Sequence, residues 1–171
     1  TRRSSDRSEE RRVGKECITR ELSVDLSPPI LHNEGLVAAV RWLATQMQRQ
    51  QGLAVEVEAE EVLPLLHEDL RVLLFQIVRE LLFNVVKHAG VNSARVALAQ
   101  ADGELRIEVS DQGRGFSADY EHGSQRTSQG LSRIEQRLQL LGGRTKIAST
   151  PGQGTRITLF VPLQKRKGKN P

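Results

Sequence analysis

The sequence predicts an α+β fold: a two-layer sandwich in which helices cover one face of a mixed, mostly antiparallel sheet. Three observations carry that expectation. Stretches of strand period and of helix period are mixed, without the regular alternation of a doubly wound parallel sheet. Neighbouring strand-like stretches are joined by Asp-Gly and Pro-Gly turns, the mark of antiparallel hairpins. The helical stretches carry their apolar residues at three- and four-residue spacing, so each has one face to bury.

The chain has 171 residues, enough for one compact domain plus tails. Residues 1–20, TRRSSDRSEERRVGKECITR, are dense in mixed charge and poor in apolar side chains. They are expected to be disordered or a cloning remnant. The domain is expected over 21–163, followed by a basic disordered tail at 164–171. Pro28-Pro29 stops any helix arriving from upstream. A helix is expected from Asn33 to Gln51, with Asn33 as N-cap, Glu34 in the first turn and Gly52 at its end. LAVEVEAE then alternates apolar and acidic residues as a half-buried strand does.

A connection containing Pro64 leads to a long helix from Glu68 to Ala89, closed by Gly90. Leu70, Leu73, Leu74, Ile77, Val78, Leu81, Leu82 and Val85 form its buried face. SARVALAQA and ELRIEVSD read as a hairpin turned at Asp102-Gly103. Next comes DQGRGFSADYEHGSQRTSQG, rich in Gly, Ser and Gln; a segment of that length in a compact domain points to a functional lid, here about 112–129. A helix is expected from Leu131 to Leu141, ended by Gly142-Gly143. RTKIAST and TRITLFVP, parted by Pro151-Gly152-Gln153-Gly154, close the domain.

Composition excludes several classes. With 37% apolar and 27% charged residues the chain is ordinary for a globular protein. No apolar run approaches the roughly 20 residues of a membrane span, and no signal-peptide pattern is present. Cys17 stands alone, so no internal disulfide or cysteine metal site forms. A cytoplasmic domain without membrane contact of its own is expected, in a parent protein that can still be anchored in the inner membrane. The net charge of +4 gathers largely at the two ends, and the four Phe, one Trp and one Tyr do not interleave with the basic clusters. Nucleic acid is therefore not an expected partner.

The chemistry gathers in four places. In VRELLFNVVKHAG, read as a helix, Glu80, Asn84, Lys87 and His88 fall at i, i+4, i+7 and i+8, on one face. A carboxylate, an amide, an amine and an imidazole in one stripe suit a phosphate and a divalent cation; a plain polar surface is the alternative. Asp111-x-Gly113-x-Gly115 follows a strand, Ser128-Gln129-Gly130-Leu131 precedes a helix, and Gly152-x-Gly154-Thr155 lies between two strands.

ExxxNxxKH on a helix, DxGxG after a strand, SQGL before a helix and PGxGT between strands together resemble the GHKL (Bergerat-fold) ATP-binding domain. That domain is shared by sensor histidine kinases, type II topoisomerases, HSP90-type chaperones and MutL-like mismatch-repair proteins. The likeness is strongest to the histidine-kinase subfamily of nitrate and membrane-fluidity sensors, which carries a segment similar to LSPPILHNEGLVAAVRWLA after its dimerisation helices. It covers about residues 20–163. Each motif alone is common; four in this order are specific.

The resemblance implies ATP and Mg²⁺ as cofactors and phosphoryl transfer to histidine as the reaction. By it, Asn84 is the metal ligand, and Glu80 supports the metal through water or acts on the acceptor histidine. Lys87 reaches phosphate; His88 does likewise or caps the helix end. Asp111 accepts the adenine amino group, with a turn-forming Asp as the alternative, and Thr155 lies near the base. Gly113 and Gly115 allow close approach and hinge the lid, whose base Phe116 anchors. Gly130 and Leu131 open a helix whose amides take phosphate. The sequence departs from the family at Ser128, where GxGL has its first glycine; Ser128 is left to supply a hydroxyl or an amide.

The implied partners are a dimerisation and phosphoacceptor domain and a response regulator. No stretch of the kind ExxRIARELHD occurs, and His32, His67 and His122 have no such setting. The chain is therefore expected to bind ATP but not to phosphorylate itself in isolation. Two other readings stay open: a GHKL ATPase coupling hydrolysis to conformational change, and a degenerate module that only docks partners.

Overall fold

The computed structural model describes residues 28–60, 66–117 and 127–163, with the backbone alone for 127–129. The expectations for residues 1–20, for the tail at 164–171, for the connection at Pro64 and for the middle of the lid lie outside these residues.

Pro29 opens a short helix, α1 (Pro29–Asn33), at the first helical position, where a missing N–H costs nothing. Its Leu31 is buried in the core. The next helix, α2 (Leu36–Gln51), starts later than the sequence suggested. Asn33 is the last residue of α1 rather than an N-cap, and Gly35, at φ 89°, ψ −172°, occupies the cap position of α2. That backbone conformation is almost exclusive to glycine, so Gly35 separates the two helices. The end is as expected, with Gly52 left-handed and its N–H on Gln48 O.

After β1 (Ala54–Ala59) comes the spine of the domain, α3 (Glu68–Asn84), with Glu68 and Asp69 favourably placed in its first turn. Leu74, Phe75, Ile77, Val78, Leu81 and Leu82 are all essentially inaccessible. Each such side chain contributes about 1.5–3 kcal/mol by leaving water. The regular helix does not run on to Ala89. Val85–Ala89 form one wider π-type turn, closed by left-handed Gly90. Such turns rotate the residues beyond them off the α-helical stripe.

The remaining elements are β2 (Ser93–Ala101), β3 (Glu104–Asp111), α4 (Thr127–Gln139), β4 (Arg144–Ser149) and β5 (Thr155–Pro162). α4 starts four residues before the expected Leu131 and ends before Leu140 and Leu141, which are exposed. The C-terminal part of the expected lid is therefore helical. The sheet order is β1-β2-β3-β5-β4, with β1 parallel to β2 and every other pair antiparallel. This is the expected α+β sandwich with a mixed sheet.

One face of the sheet (Val96, Leu98, Leu105, Ile107, Val109, Ile157, Leu159, Val161) packs under the helices. The other carries cross-strand ion pairs: Arg95 with Glu58, Arg144 with Glu104, and Glu108 between Arg106 (2.7 Å) and Arg156 (3.3 Å). Hydrogen bonds from Arg95 and Arg144 hold the Glu58 and Glu104 carboxyls below the ordinary carboxylate range. Among the described residues no helix is long and apolar enough to cross a membrane.

Candidate functional site

At the end of the sheet where β3 stops and β5 starts, a partly open cavity of about 60 Å³ lies under α3. Leu81, Asn84, Val85, His88 and Ala89 wall one side, and Val109, Asp111, Thr155 and Ile157 the other. Gly115 and Phe116 close one end, and Leu131 of α4 another. Asn84, the last α-helical residue, and His88, in the π-type turn, both line the cavity.

Asp111 is the last residue of β3 and is buried. Its Oδ1 accepts the Gly113 N–H at 2.8 Å. The second carboxylate oxygen has no protein donor among the described residues and is not sealed away, so an accessible acceptor is left for a ligand.

The loop after Asp111 is held from two sides. Arg114 N–H donates to Ala89 O at 2.8 Å, and Gly152 N–H to Arg114 O at 2.6 Å. This threading explains the glycines. A Cβ on Gly113 would lie 2.4 Å from Ala89 O, and one on Gly115 2.1 Å from Thr150 O. Gly154, at φ +82°, lies against the Asp111 backbone, where a Cβ would fall 2.1 Å from its carbonyl oxygen.

The other proposed site residues are distributed as follows. Glu80 is exposed one turn before Asn84. Gly130, in the first turn of α4, faces both: a Cβ there would lie 3.6 Å from Glu80 Oε1 and 4.0 Å from Asn84 Nδ2. The backbone of α4 thus passes beside the carboxylate and amide at Gly130. Lys87 Nζ sits 6.0 Å from the Phe83 ring centroid, over which Arg79 also lies at 5.3 Å. Lys87 is not among the described residues lining the cavity. Ser128 lies in α4.

Sequence reasoning missed Ser149. Its hydroxyl accepts the Phe116 N–H at 2.9 Å, donates to Gly154 O at 3.1 Å and lies 3.0 Å from Thr155 Oγ1. The available signal was a pair of hydroxyl residues bracketing the Pro-Gly-Gln-Gly turn, which a hairpin makes cross-strand neighbours.

A wider groove of about 910 Å³ runs along α2 and β1 past Arg41, Arg49, Arg95 and Arg156. It is open to solvent and takes no residue from α3. Asp111 also borders that groove, but only the smaller cavity brings it together with Asn84 and His88 of the polar stripe.

Residues 69–165 match the family described as histidine kinase-, DNA gyrase B-, and HSP90-like ATPase. An uncharacterized sensor-like histidine kinase of Chloroflexus aurantiacus is 32% identical over 150 residues, 85% of this chain and 25% of that protein. The sensor histidine kinase MctS of Rhizobium johnstonii is 30% identical over 151 residues, 88% of this chain and 32% of that protein. The chain thus spans about a quarter to a third of the length of these relatives. Among solved structures, the blue-light activated histidine kinase of Erythrobacter litoralis has the same fold, with a TM-score of 0.63 and 24% identity, over 77% of this chain and 43% of that one. Matched over more than half its length, the chain belongs to the histidine kinase-, DNA gyrase B- and HSP90-like ATPase family.

Proposed function

We propose that this domain holds Mg-ATP along α3, with the base at Asp111 and the phosphates toward Asn84, for phosphoryl transfer to a histidine of a separate dimerisation and phosphoacceptor domain. A response regulator then takes the phosphoryl group from that histidine. The carrying observation is the buried residue Asp111 on the lining of an apolar cavity, with one carboxylate oxygen committed to Gly113 N–H and the other without a protein donor among the described residues.

The residues present fit the groups they would hold. Asp111 and Thr155 offer oxygen acceptors at one end of the cavity, and Leu81, Val85, Val109 and Ile157 offer apolar walls for a planar ring. Asn84 offers a neutral oxygen to a hard cation whose other ligands are phosphate and water. The bound cation would supply charge neutralisation on the phosphates. The first turn of α4 would offer its backbone amides to the phosphates. His88 faces the same space. Lys87 reaches phosphate only by leaving Phe83.

The cavity is far smaller than the roughly 300 Å³ at the low end of ligand pockets. Binding therefore requires α4, which brings Leu131 and Gly130 against α3, to move outward. In catalysis these residues position and neutralise; little covalent chemistry falls to them. Glu80, beside Asn84, supports the cation through water or takes the proton of the acceptor imidazole.

The nitrate- and fluidity-sensor subfamily is the proposed position within the kinases. It is supported by LSPPILHNEGLVAAVRWLA, which forms α1 and α2 and buries Leu31, Leu36, Val40 and Leu43. A cytoplasmic location follows from the same reading.

The test is transfer in trans from ATP to an added phosphoacceptor domain. Glu80→Gln is expected to slow that transfer by about 100-fold and to change ATP affinity little. Phosphate released equally fast without any histidine acceptor would replace the kinase reading with the ATPase one. A Glu80→Gln variant with unchanged transfer would remove Glu80 from the chemistry.

A further inference from the structure

Asp111, Thr155 and Ser149 form one row across three strands. Asp111 is the register partner of Thr155 between β3 and β5, and Thr155 of Ser149 between β5 and β4. Strand alternation puts all three on the helix-covered face. Asp111 and Thr155 line the cavity; Ser149 stands behind Thr155.

The hydrogen count in this row is constrained. A serine hydroxyl has one proton and two lone pairs. The Phe116 N–H only donates, and uses one lone pair of Ser149. The Gly154 carbonyl only accepts, and uses the one proton. What remains toward Thr155 is a lone pair, at 3.0 Å. The Thr155 hydroxyl therefore donates to Ser149, and its own lone pairs are what it turns to the cavity. Asp111, a carboxylate, also only accepts.

We propose that Ser149 is a positioning residue that fixes Thr155 as an acceptor, so that the polar end of the cavity selects a purine with an amino group at position 6 over one with an oxo group. The inference rests on the adenine reading given above. A 6-amino group brings two N–H donors to two acceptors on adjacent strands. A 6-oxo group brings lone pairs against lone pairs and leaves buried acceptors unpaired, which sites of this kind penalise strongly. Without Ser149 the Thr155 proton is free to turn into the cavity and meet an oxo group.

The experiment is titration of the full chain with ATP and with inosine triphosphate, both with Mg²⁺, for the unaltered protein, Ser149→Ala and Ser149→Thr. The unaltered chain is expected to prefer ATP by on the order of 100-fold. Ser149→Ala is expected to narrow that ratio by about tenfold, whatever it does to both affinities by releasing Phe116 and Gly154. Ser149→Thr, which keeps the hydroxyl, is expected to restore the ratio. If Ser149→Ala weakens both nucleotides equally, Ser149 only braces the loop and the inference is overturned. If the unaltered chain binds neither nucleotide, the adenine reading itself fails, and this inference with it.

Discussion

Asp111→Asn is expected to weaken ATP binding by on the order of 100-fold while leaving the fold intact. The side chain keeps its shape, and the Asn carbonyl oxygen can still accept the Gly113 N–H that Oδ1 accepts now at 2.8 Å. The position of the free oxygen is taken by an NH₂ group, so a donor faces the amino donor of adenine. A hydrogen bond to a charged acceptor is lost, about 1.5–3 kcal/mol, and an unpaired donor is buried in its place. Each 1.4 kcal/mol is tenfold in affinity. Calorimetric titration beside a thermal melt separates the two outcomes. An Asn variant that binds ATP within about threefold of the unaltered chain would remove Asp111 from base recognition.

The largest stability effect is expected at Gly154. Alanine there combines a left-handed backbone, φ +82°, with a Cβ placed 2.1 Å from Asp111 O. The backbone strain costs of order 1–3 kcal/mol, and the overlap, which only movement of β3 relieves, about 1–3 more. Against a total stability of roughly 5–15 kcal/mol, that endangers the fold. What survives binds ATP poorly, because the displaced residue carries the base contact. Gly152 is the internal control: it too is left-handed, at φ +77°, but a Cβ there meets nothing within 4 Å. Urea unfolding should therefore rank Gly154→Ala well below Gly152→Ala in stability. Equal losses at the two positions would show that the contact with Asp111 contributes nothing.

Much of this architecture is legible in the chain because strand and helix periods are local. SARVALAQA and TRITLFVP alternate cleanly, and their strands run over the residues expected. The Asp102-Gly103 turn forms with both residues at positive φ, as the dipeptide favours. Helix ends were harder. Gly35 sets the start of α2 through a backbone conformation that no periodicity reports, and the start of α4 at Thr127 lies inside a stretch that composition makes look like loop.

The π-type turn at Val85–Ala89 could not be read either, since an apolar pattern one turn long fits both winding periods. Of the polar residues around it, Asn84 and His88 line the cavity, while Lys87 lies over Phe83. The row of Asp111, Thr155 and Ser149 was invisible for another reason. It depends on β5 inserting between β3 and β4, a pairing that skips a strand in sequence. The motif residues were therefore visible one by one, whereas Ser149, which organises two of them, belongs to no motif that the sequence brought forward.

The most direct measurement of the central claim is calorimetric titration of this chain with a non-hydrolysable ATP analogue, with and without Mg²⁺. One saturable site per chain, tightened by Mg²⁺ and lost in Asp111→Asn, is the predicted result. Absence of binding at millimolar analogue with Mg²⁺ present would contradict the account.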